Sequence, residues 1–254
     1  VRSERGFCSS KRCKKYNGCF LGTLRTKVEN ADIIIINHSL FVNELMRDNS
    51  CLPIDFIYVI DEAHHFATVT RDQLVTQIGI KTFDDVFNFF NSDKDNWKKN
   101  VLTKFPQILK LYETLTGDSK ILQKEIHAFF TSYYNNKRDM VNKSEYHVNK
   151  LLYWDSQEEF IDTDPTPWEV LTKLTGYEKN IQKFGSLIQD NKEQIPASII
   201  IEFSAIEGIL KEGLESLNAA LDIRSGLVQW TSFIQSNYQN LTSLNSAPLK
   251  VNNF

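Results

Sequence analysis

Two short apolar runs near the start of the chain predict buried β-strands. Residues 32–37 read Asp-Ile-Ile-Ile-Ile-Asn, and residues 56–60 read Phe-Ile-Tyr-Val-Ile. Continuous β-branched runs of this kind are typical of strands buried on both faces, as in a parallel sheet covered by helices. Residues 39–52 between them carry apolar side chains at helical spacing. The pattern therefore predicts one strand–helix–strand unit.

The pattern changes to a helical period from about residue 71 to residue 221. Apolar side chains recur every three or four positions in four stripes, at residues 97–115, 121–133, 168–188 and 199–221. Such stripes are the core faces of packed helices far more often than cofactor pockets. Residues 135–167 are polar and predict an irregular connection, whereas residues 241–251 alternate weakly and predict a returning strand.

Composition narrows the class of protein. The chain has 254 residues, of which 41% are hydrophobic and 24% charged, so it can form a core and is not a disordered chain. No apolar run reaches the 18 or so residues that a membrane helix needs. The chain starts at Val1, with no initiator Met and no apolar segment of a signal peptide. We therefore expect a fragment of a larger cytoplasmic protein.

Basic residues are concentrated at the start of the chain. Residues 1–27 carry eight basic side chains and one acidic one, a formal charge of +7 within a chain of net charge −3. The basic side chains Lys11, Arg12, Lys14 and Lys15 are followed by Tyr16. Cations beside an aromatic ring suit a groove that follows a single-stranded backbone and stacks its bases. The alternative is an ordinary solvated charge run.

Three of the four cysteines lie close together. Cys8, Cys13 and Cys19 fall within twelve residues, which indicates a metal or cluster site in a reducing compartment rather than a disulfide framework. Zinc is the rival metal, although these spacings are looser than paired zinc knuckles. Cys51 is the internal candidate for a fourth ligand, but a lone cysteine is more often an inert small side chain.

The strongest chemical signal follows the second predicted strand, where the chain reads Val59-Ile60-Asp61-Glu62-Ala63-His64. An Asp at the carboxyl end of a parallel strand lies where open α/β sheets bind ligands. Asp61 would hold Mg²⁺, which prefers hard oxygen ligands, and the adjacent Glu62 would polarise an attacking water. The alternative is an acidic turn in which Asp61 only caps the next helix.

This string resembles motif II, the Walker B box, of DEAH-type superfamily 2 helicases, and most closely the DinG/XPD (Rad3-related) branch of DNA helicases. Residues 31–40, Ala-Asp-Ile-Ile-Ile-Ile-Asn-His-Ser-Leu, are similar to the stretch that precedes the box in that branch. The spacing of Cys8, Cys13 and Cys19 is similar to the last three cysteines of its iron–sulfur site. Trp230, followed by residues 246–251, resembles the segment that returns to the helicase core.

The resemblance implies an α/β fold, a partial RecA-like parallel sheet with a large, mostly helical arch insertion. It divides the chain into an iron–sulfur region at 1–28, part of helicase domain 1 at 29–69, the arch at 70–225 and the return to the core at 226–254. A [4Fe–4S] cluster would be held by the three clustered cysteines and a fourth ligand upstream of Val1. By position, His64 would link the nucleotide site to the DNA-binding face.

The function implied is ATP-dependent DNA unwinding, 5′→3′ as in that branch, by a monomer acting on single-stranded and forked DNA. The resemblance implies that Asp61 and Glu62 bind Mg²⁺ and that ATP is the substrate. It also implies an enzyme of the cytoplasm that associates with the nucleoid. By contrast, we interpret His38 and His65 as packing or hydrogen-bonding residues.

The chain also departs from the family pattern. No glycine is followed by lysine, so the Gly-x-x-x-x-Gly-Lys-Ser/Thr phosphate loop is missing, as are motifs III and VI. We therefore expect an internal piece of a larger helicase that does not hydrolyse ATP alone. Two alternatives stay open, a non-catalytic DNA-binding or scaffold module and a helicase relative with an attached nuclease domain.

Overall fold

The structure is a computed structural model that describes residues 20–45, 52, 57–91, 96–141, 150–154, 156–223, 226–235 and 240–248. The chain divides into two compact units. The first comprises Val1–Val75 with Lys250–Phe254, and the second comprises Thr76–Leu249.

The described part of the first unit contains three helices, α1 (Phe20–Glu29), α2 (His38–Leu45) and α3 (Ala63–Gln73). Helix α2 begins where the Asn37 side chain accepts a hydrogen bond from the Leu40 amide at 2.8 Å, which satisfies one of the free amides of the first turn. Helices α2 and α3 pack together, and Asn43 Nδ2 donates to Gln73 Oε1 at 2.6 Å.

The two predicted strands of this unit are not formed in the described residues, and their place in a parallel sheet stays a prediction. Residues 33–37 and 57–60 have no strand pairing. None of these side chains is buried, and Ile35 and Ile57 are 92% and 93% exposed. A strand of a parallel sheet is stable only when neighbouring strands satisfy its backbone and helices cover both faces. In the described part of the first unit, neither run pairs with another strand. The helix predicted between the runs is confirmed as α2.

The second unit combines a helical layer with a small sheet, so the chain is a mixed α/β protein that is mostly helical. Its elements in order are β1 (Thr76–Gly79), α4 (Asp84–Asn91), α5 (Asn96–Leu102), α6 (Pro106–Val141), β2 (Lys150–Trp154), a 3₁₀ helix (Gln157–Phe160), α7 (Pro167–Asp190), α8 (Ala197–Leu221), β3 (Leu227–Gln235) and β4 (Asn240–Pro248).

The sheet has four strands in the order β1-β4-β3-β2, and every neighbouring pair is antiparallel. Ile78 of β1 faces Leu244 of β4, which in turn faces Thr231 of β3. Ile78, Leu244 and Phe233 are buried and belong to the same apolar core as the helices. The sheet described here is therefore antiparallel and lies in the second unit, unlike the predicted parallel sheet.

The helical stripes account for most of the core. The third and fourth stripes are confirmed as the buried faces of α7 and α8, with Tyr177, Phe184, Phe203 and Leu210 all buried. The first two predicted stripes do not correspond to two separate helices. A break before Pro106 divides the first stripe between α5 and the 36-residue helix α6, and α6 also carries the second stripe. Proline suits the first turn of a helix, where its missing N–H costs nothing.

Two details of the helical region were predicted incorrectly. Ile121, assigned to the second stripe, is 58% exposed. The connection predicted over residues 135–167 instead contains the end of α6, the strand β2 and the 3₁₀ helix. The chain re-enters a helix at Thr166, where a capping box with Glu169 starts α7. The hydrogen bond from the Thr166 backbone amide is the main cause that lowers the pKa of the Glu169 carboxyl.

The predicted returning strand is confirmed as β4. It pairs with β1 and β3 inside the second unit, which continues to Leu249. No helix among the described residues is both long and apolar enough to cross a bilayer.

Helix α8 contains one glycine that the packing requires. A Cβ at Gly213 would lie 2.4 Å from Cε1 of Phe83, a ring that is itself 1% exposed. We expect Gly213→Ala to lower the free energy of unfolding by about 1–3 kcal/mol, because the buried ring cannot move aside without strain.

Gly208→Ala in the same helix is the matched control, since a Cβ there meets nothing within 4 Å. It should raise the free energy of unfolding by about 0.5–1 kcal/mol through helix propensity alone. Urea unfolding of both variants checks this pair, and equal effects would contradict the assigned contact.

Candidate active site

The predicted chemical residues lie on an exposed turn that leads into α3. Glu62 immediately precedes the helix and has a left-handed backbone, with φ 48° and ψ 44°. The Glu62 amide donates to Asp61 Oδ1 at 2.9 Å, so the Asp61 side chain holds the turn locally. A non-glycine residue in this region is uncommon and costs about 1–2 kcal/mol. Such residues are frequent at functional sites, where the surrounding structure maintains them.

Three potential metal-ligating side chains meet at this turn. The donor atoms of Glu62, His64 and His65 lie within 4.8 Å of one another, and all three residues are exposed. His64 Nδ1 is 3.3 Å from Glu62 Oε2, and the His64 and His65 rings are 4.0 Å apart between centroids. The structure therefore brings together Glu62 and His64, two of the three residues predicted to act at the site.

Carboxylate oxygens at the turn suit a magnesium ion, although the neighbouring donor atoms are those of Glu62, His64 and His65 and do not include Asp61. Asp61 and Glu62 both supply carboxylate oxygens from adjacent positions, and hard oxygens are the ligands that Mg²⁺ prefers. Both carboxylates are exposed, which leaves room for the several waters that Mg²⁺ usually keeps. An imidazole pair is a softer donor set that zinc also accepts.

His38 is also a neighbour of this turn. Its Nε2 lies 2.9 Å from the backbone carbonyl oxygen of Asp61, 23 residues along the chain. Its ring meets Phe66 of α3 edge-on, with centroids 5.5 Å apart. The sequence predicted packing or hydrogen bonding for His38, and both are confirmed. The sequence did not indicate that its partner is Asp61, because no spacing rule joins residues so far apart.

The other predicted site residues lie outside the described residues. They are the cysteines Cys8, Cys13, Cys19 and Cys51, and the basic and aromatic residues Lys11, Arg12, Lys14, Lys15 and Tyr16.

Comparison with known proteins gives a family match over the region that contains this turn, and partial matches to DNA helicases. The family model described as DEAD_2 matches residues 9–82. ATP-dependent DNA helicase DinG of Escherichia coli (strain K12) is 30% identical over 76 residues, which are 29% of this chain and 10% of that protein. DinG of Salmonella typhimurium has the same identity and coverage. ATP-dependent DNA helicase YoaA of Escherichia coli is 29% identical over 73 residues, 27% of this chain and 12% of that protein.

These matches confirm the resemblance to DinG/XPD-like helicases inferred from the motifs. The relationship is to ATP-dependent DNA helicases, and the family match covers the residues from Ser9 to Thr82. The aligned part amounts to about a tenth of the length of the helicases it matches.

The left-handed backbone at Glu62 gives a prediction that is independent of catalysis. Glycine adopts this conformation without a Cβ penalty, whereas alanine keeps the penalty. We therefore expect the backbone amides of residues 63–73 to exchange hydrogen more slowly in the Glu62→Gly protein than in the Glu62→Ala protein. The free energy of local opening should be about 1 kcal/mol higher in the glycine variant.

Hydrogen exchange followed by mass spectrometry of peptides from α3 checks this difference. Thr68→Gly and Thr68→Ala, within the helix, serve as the matched pair and should show the opposite order, since glycine destabilises a helix interior. Equal protection in the two Glu62 variants would count against the strained turn.

Proposed function

We propose that this chain is part of an ATP-dependent DNA helicase and that the Asp61–His64 turn is part of its ATP-hydrolysing site. The observation that carries the proposal is the exposed, strained turn that presents two adjacent carboxylates inside residues 9–82, which the family model matches, in a chain related to DinG and YoaA. Strain and adjacent carboxylates at an exposed turn suit a site that recognises an external ligand.

Each residue of the turn has a distinct role in this proposal. Asp61 orients the metal and its waters, and Glu62 accepts a hydrogen bond from the attacking water. The water oxygen bonds to the γ-phosphorus as the bond from the γ-phosphorus to the β–γ bridging oxygen breaks; that oxygen leaves with ADP, Glu62 takes the water's proton, and inorganic phosphate is the second product. The metal, when bound, neutralises charge on the phosphate oxygens. His64, 3.3 Å from Glu62, passes changes at this carboxylate toward the DNA-binding face.

The exposed apolar runs are the basis for the RecA-like part of the proposal. Ile33, Ile35, Ile57 and Val59 are 80–93% exposed in two segments on either side of α2. We propose that both segments become strands of a parallel sheet when neighbouring strands pair with them. Burying such side chains is worth about 1.5–3 kcal/mol each.

The strand pairing of the second unit supports its assignment as an insertion. Thr76 and Ser246 lie opposite each other in adjacent strands, so the unit begins and ends at neighbouring positions. A unit with adjacent ends can interrupt another domain without separating the flanking residues. We propose that this unit contains the arch predicted at residues 70–225.

We further propose that Cys8, Cys13 and Cys19 ligate a [4Fe–4S] cluster, and that Lys11, Arg12, Lys14, Lys15 and Tyr16 contact single-stranded DNA beside it. The relationship to DinG and YoaA supports DNA binding. Translocation in the 5′→3′ direction on forked DNA, by a monomer, completes the proposed function.

Replacing the proposed base should stop catalysis. In the whole helicase that contains this chain, we expect Glu62→Gln to lower DNA-stimulated ATP hydrolysis by at least about a hundredfold, because amide nitrogen and oxygen do not take the proton from water. ATP and DNA binding should persist, since the amide is similar in size and polarity.

Asp72→Asn makes the same chemical change on an exposed residue of α3 and should leave hydrolysis unchanged. Phosphate release measured with and without single-stranded DNA tests both variants. Normal turnover of the Glu62→Gln protein would refute the assignment of Glu62.

The cysteine proposal is tested by metal analysis of the same protein. Iron and labile sulfide should be present at about four atoms each per chain, the count of one four-iron cluster. Cys13→Ala should remove most of both, together with the visible absorbance of the cluster, because a thiolate ligand is lost.

Cys51→Ala is the control and should keep the full iron content, since the family pattern does not use this position. Zinc in place of iron would refute the cluster. If iron is lost from the Cys51→Ala protein but not from the Cys13→Ala protein, Cys51 and not Cys13 is a ligand.

A further inference from the structure

We infer that His38 is a positioning residue for the ATPase chemistry, and that it acts by holding the backbone carbonyl of Asp61. The inference rests on the proposed function, and it adds a residue to which neither the motif nor the family match assigns a role. Its basis is the hydrogen bond between His38 Nε2 and the Asp61 carbonyl oxygen at 2.9 Å.

The direction of this hydrogen bond is fixed by its partner. A carbonyl oxygen only accepts, so Nε2 of His38 must carry a proton and donate it. The ring can donate in this way both as the neutral tautomer with a proton on Nε2 and as the imidazolium. The contact therefore persists whether or not the ring gains a second proton.

The imidazole is held in place for this contact by its surroundings. Its ring meets Phe66 edge-on, with an angle of 81° between the two planes. One turn further along α2, Phe41 contacts both Tyr58 and Phe66, with centroids 5.2 and 5.9 Å away. These aromatic contacts join α2 to the chain on both sides of the turn, before it at Tyr58 and after it at Phe66.

The carbonyl that His38 holds belongs to the peptide between the two proposed catalytic carboxylates. The orientation of this peptide sets the directions in which the Asp61 and Glu62 side chains leave the backbone. Glu62 sits in a left-handed conformation, which persists only where contacts maintain it. The His38 hydrogen bond is such a contact, since it fixes the carbonyl immediately before Glu62.

Losing this hydrogen bond should affect turnover more than nucleotide affinity. Misplaced groups around a metal site typically cost ten- to a hundredfold in activity. ATP affinity depends on phosphate and base contacts made by other parts of a helicase, so KM for ATP should change little. A fall in kcat with constant KM marks an interaction that matters in the transition state.

Two substitutions separate the hydrogen bond from the ring packing. His38→Phe keeps an aromatic ring against Phe66 but cannot donate to Asp61. His38→Gln loses the ring but places an amide N–H near the position of Nε2. We expect His38→Phe to lower kcat for DNA-stimulated ATP hydrolysis by about tenfold or more, with KM for ATP within about twofold of the parent protein. His38→Gln should recover kcat to within about threefold of the parent protein.

His127 supplies the matched controls, because it is exposed on α6 in the second unit. His127→Phe and His127→Gln should leave kcat and KM unchanged. Thermal unfolding by circular dichroism establishes that each variant folds. If the His38→Phe protein does not fold, His38→Asn takes its place, because the shorter side chain of asparagine does not reach the Asp61 carbonyl. The His38→Asn protein should then show the loss of kcat that the His38→Gln protein does not show.

The outcomes separate this inference from the proposed function. A parent protein without ATP hydrolysis would refute both. An active parent protein with unchanged kcat in the variant that cannot donate would refute only the role of His38. Equal loss of kcat in the donating and non-donating variants would also refute it, because packing rather than the hydrogen bond would then be responsible.

Discussion

The second unit depends on the pairing of its first strand with its last. Strand β1 lies beside β4, and Thr76 faces Ser246 across 170 residues of chain. The pairing is reinforced by side chains, since the Thr76 and Ser246 hydroxyl oxygens are 2.6 Å apart and Gln77 Nε2 donates to Ser243 Oγ at 2.8 Å. Closing so long a loop has an entropic cost, but this cost grows only slowly with length. Burial of the sheet against the helices offsets it.

The inner face of the sheet and the helices form one continuous core. Phe233 of β3 stacks on Tyr133 of α6, with ring planes 16° apart. The Tyr133 hydroxyl donates to Glu159 at 2.7 Å and lies 2.9 Å from the Thr231 hydroxyl. Burial raises the pKa of Tyr133, so this phenol remains protonated and keeps its hydrogen bonds at every physiological pH. The polar contacts fix the register between helix and sheet, which apolar contacts alone leave open.

The two units have different relations to known proteins. The residues matched by the family model include the chemical turn of the first unit and only the beginning of the second. The chemistry at the turn requires particular side chains, whereas a helical layer requires only apolar residues at the right spacing, and many sequences supply those. This difference explains why a motif identifies the first unit and periodicity alone describes the second.

Within the first unit, the turn is held both by local contacts and by contacts between residues far apart in sequence. The Asp61 side chain holds the Glu62 amide, a contact between neighbours in sequence. His38 and Phe66 add contacts from two separate helices. The carboxylates themselves stay exposed, as a site must be if it binds a ligand. The supporting residues His38 and Phe66 are half-buried, whereas Asp61 and Glu62 are exposed.

The sequence by itself determined the helices α2, α7 and α8, the strand β4 and the chemical string from Asp61 to His64. Each of these depends on a local pattern, either a repeat of apolar positions or a run of consecutive residues. The same patterns predicted strands at 32–37 and 56–60, because a β-branched run satisfies the local requirement for a strand. Only the tertiary structure decided that the described parts of these runs are not paired as strands, since strand pairing is a property of two segments and not of one.

The tertiary structure also decided the break before Pro106, the strand β2 and the contact between His38 and Asp61. Helix α6 continues past residue 135, where polar residues predicted a connection, and there Asn136 Nδ2 donates to the Asp162 carbonyl oxygen and Lys137 pairs with Glu159. His38 lies near Asp61 because α2 packs against α3, which brings together residues 23 positions apart. Sequence spacing describes neighbours along one element, whereas the site depends on how separate elements meet, and that is fixed by packing.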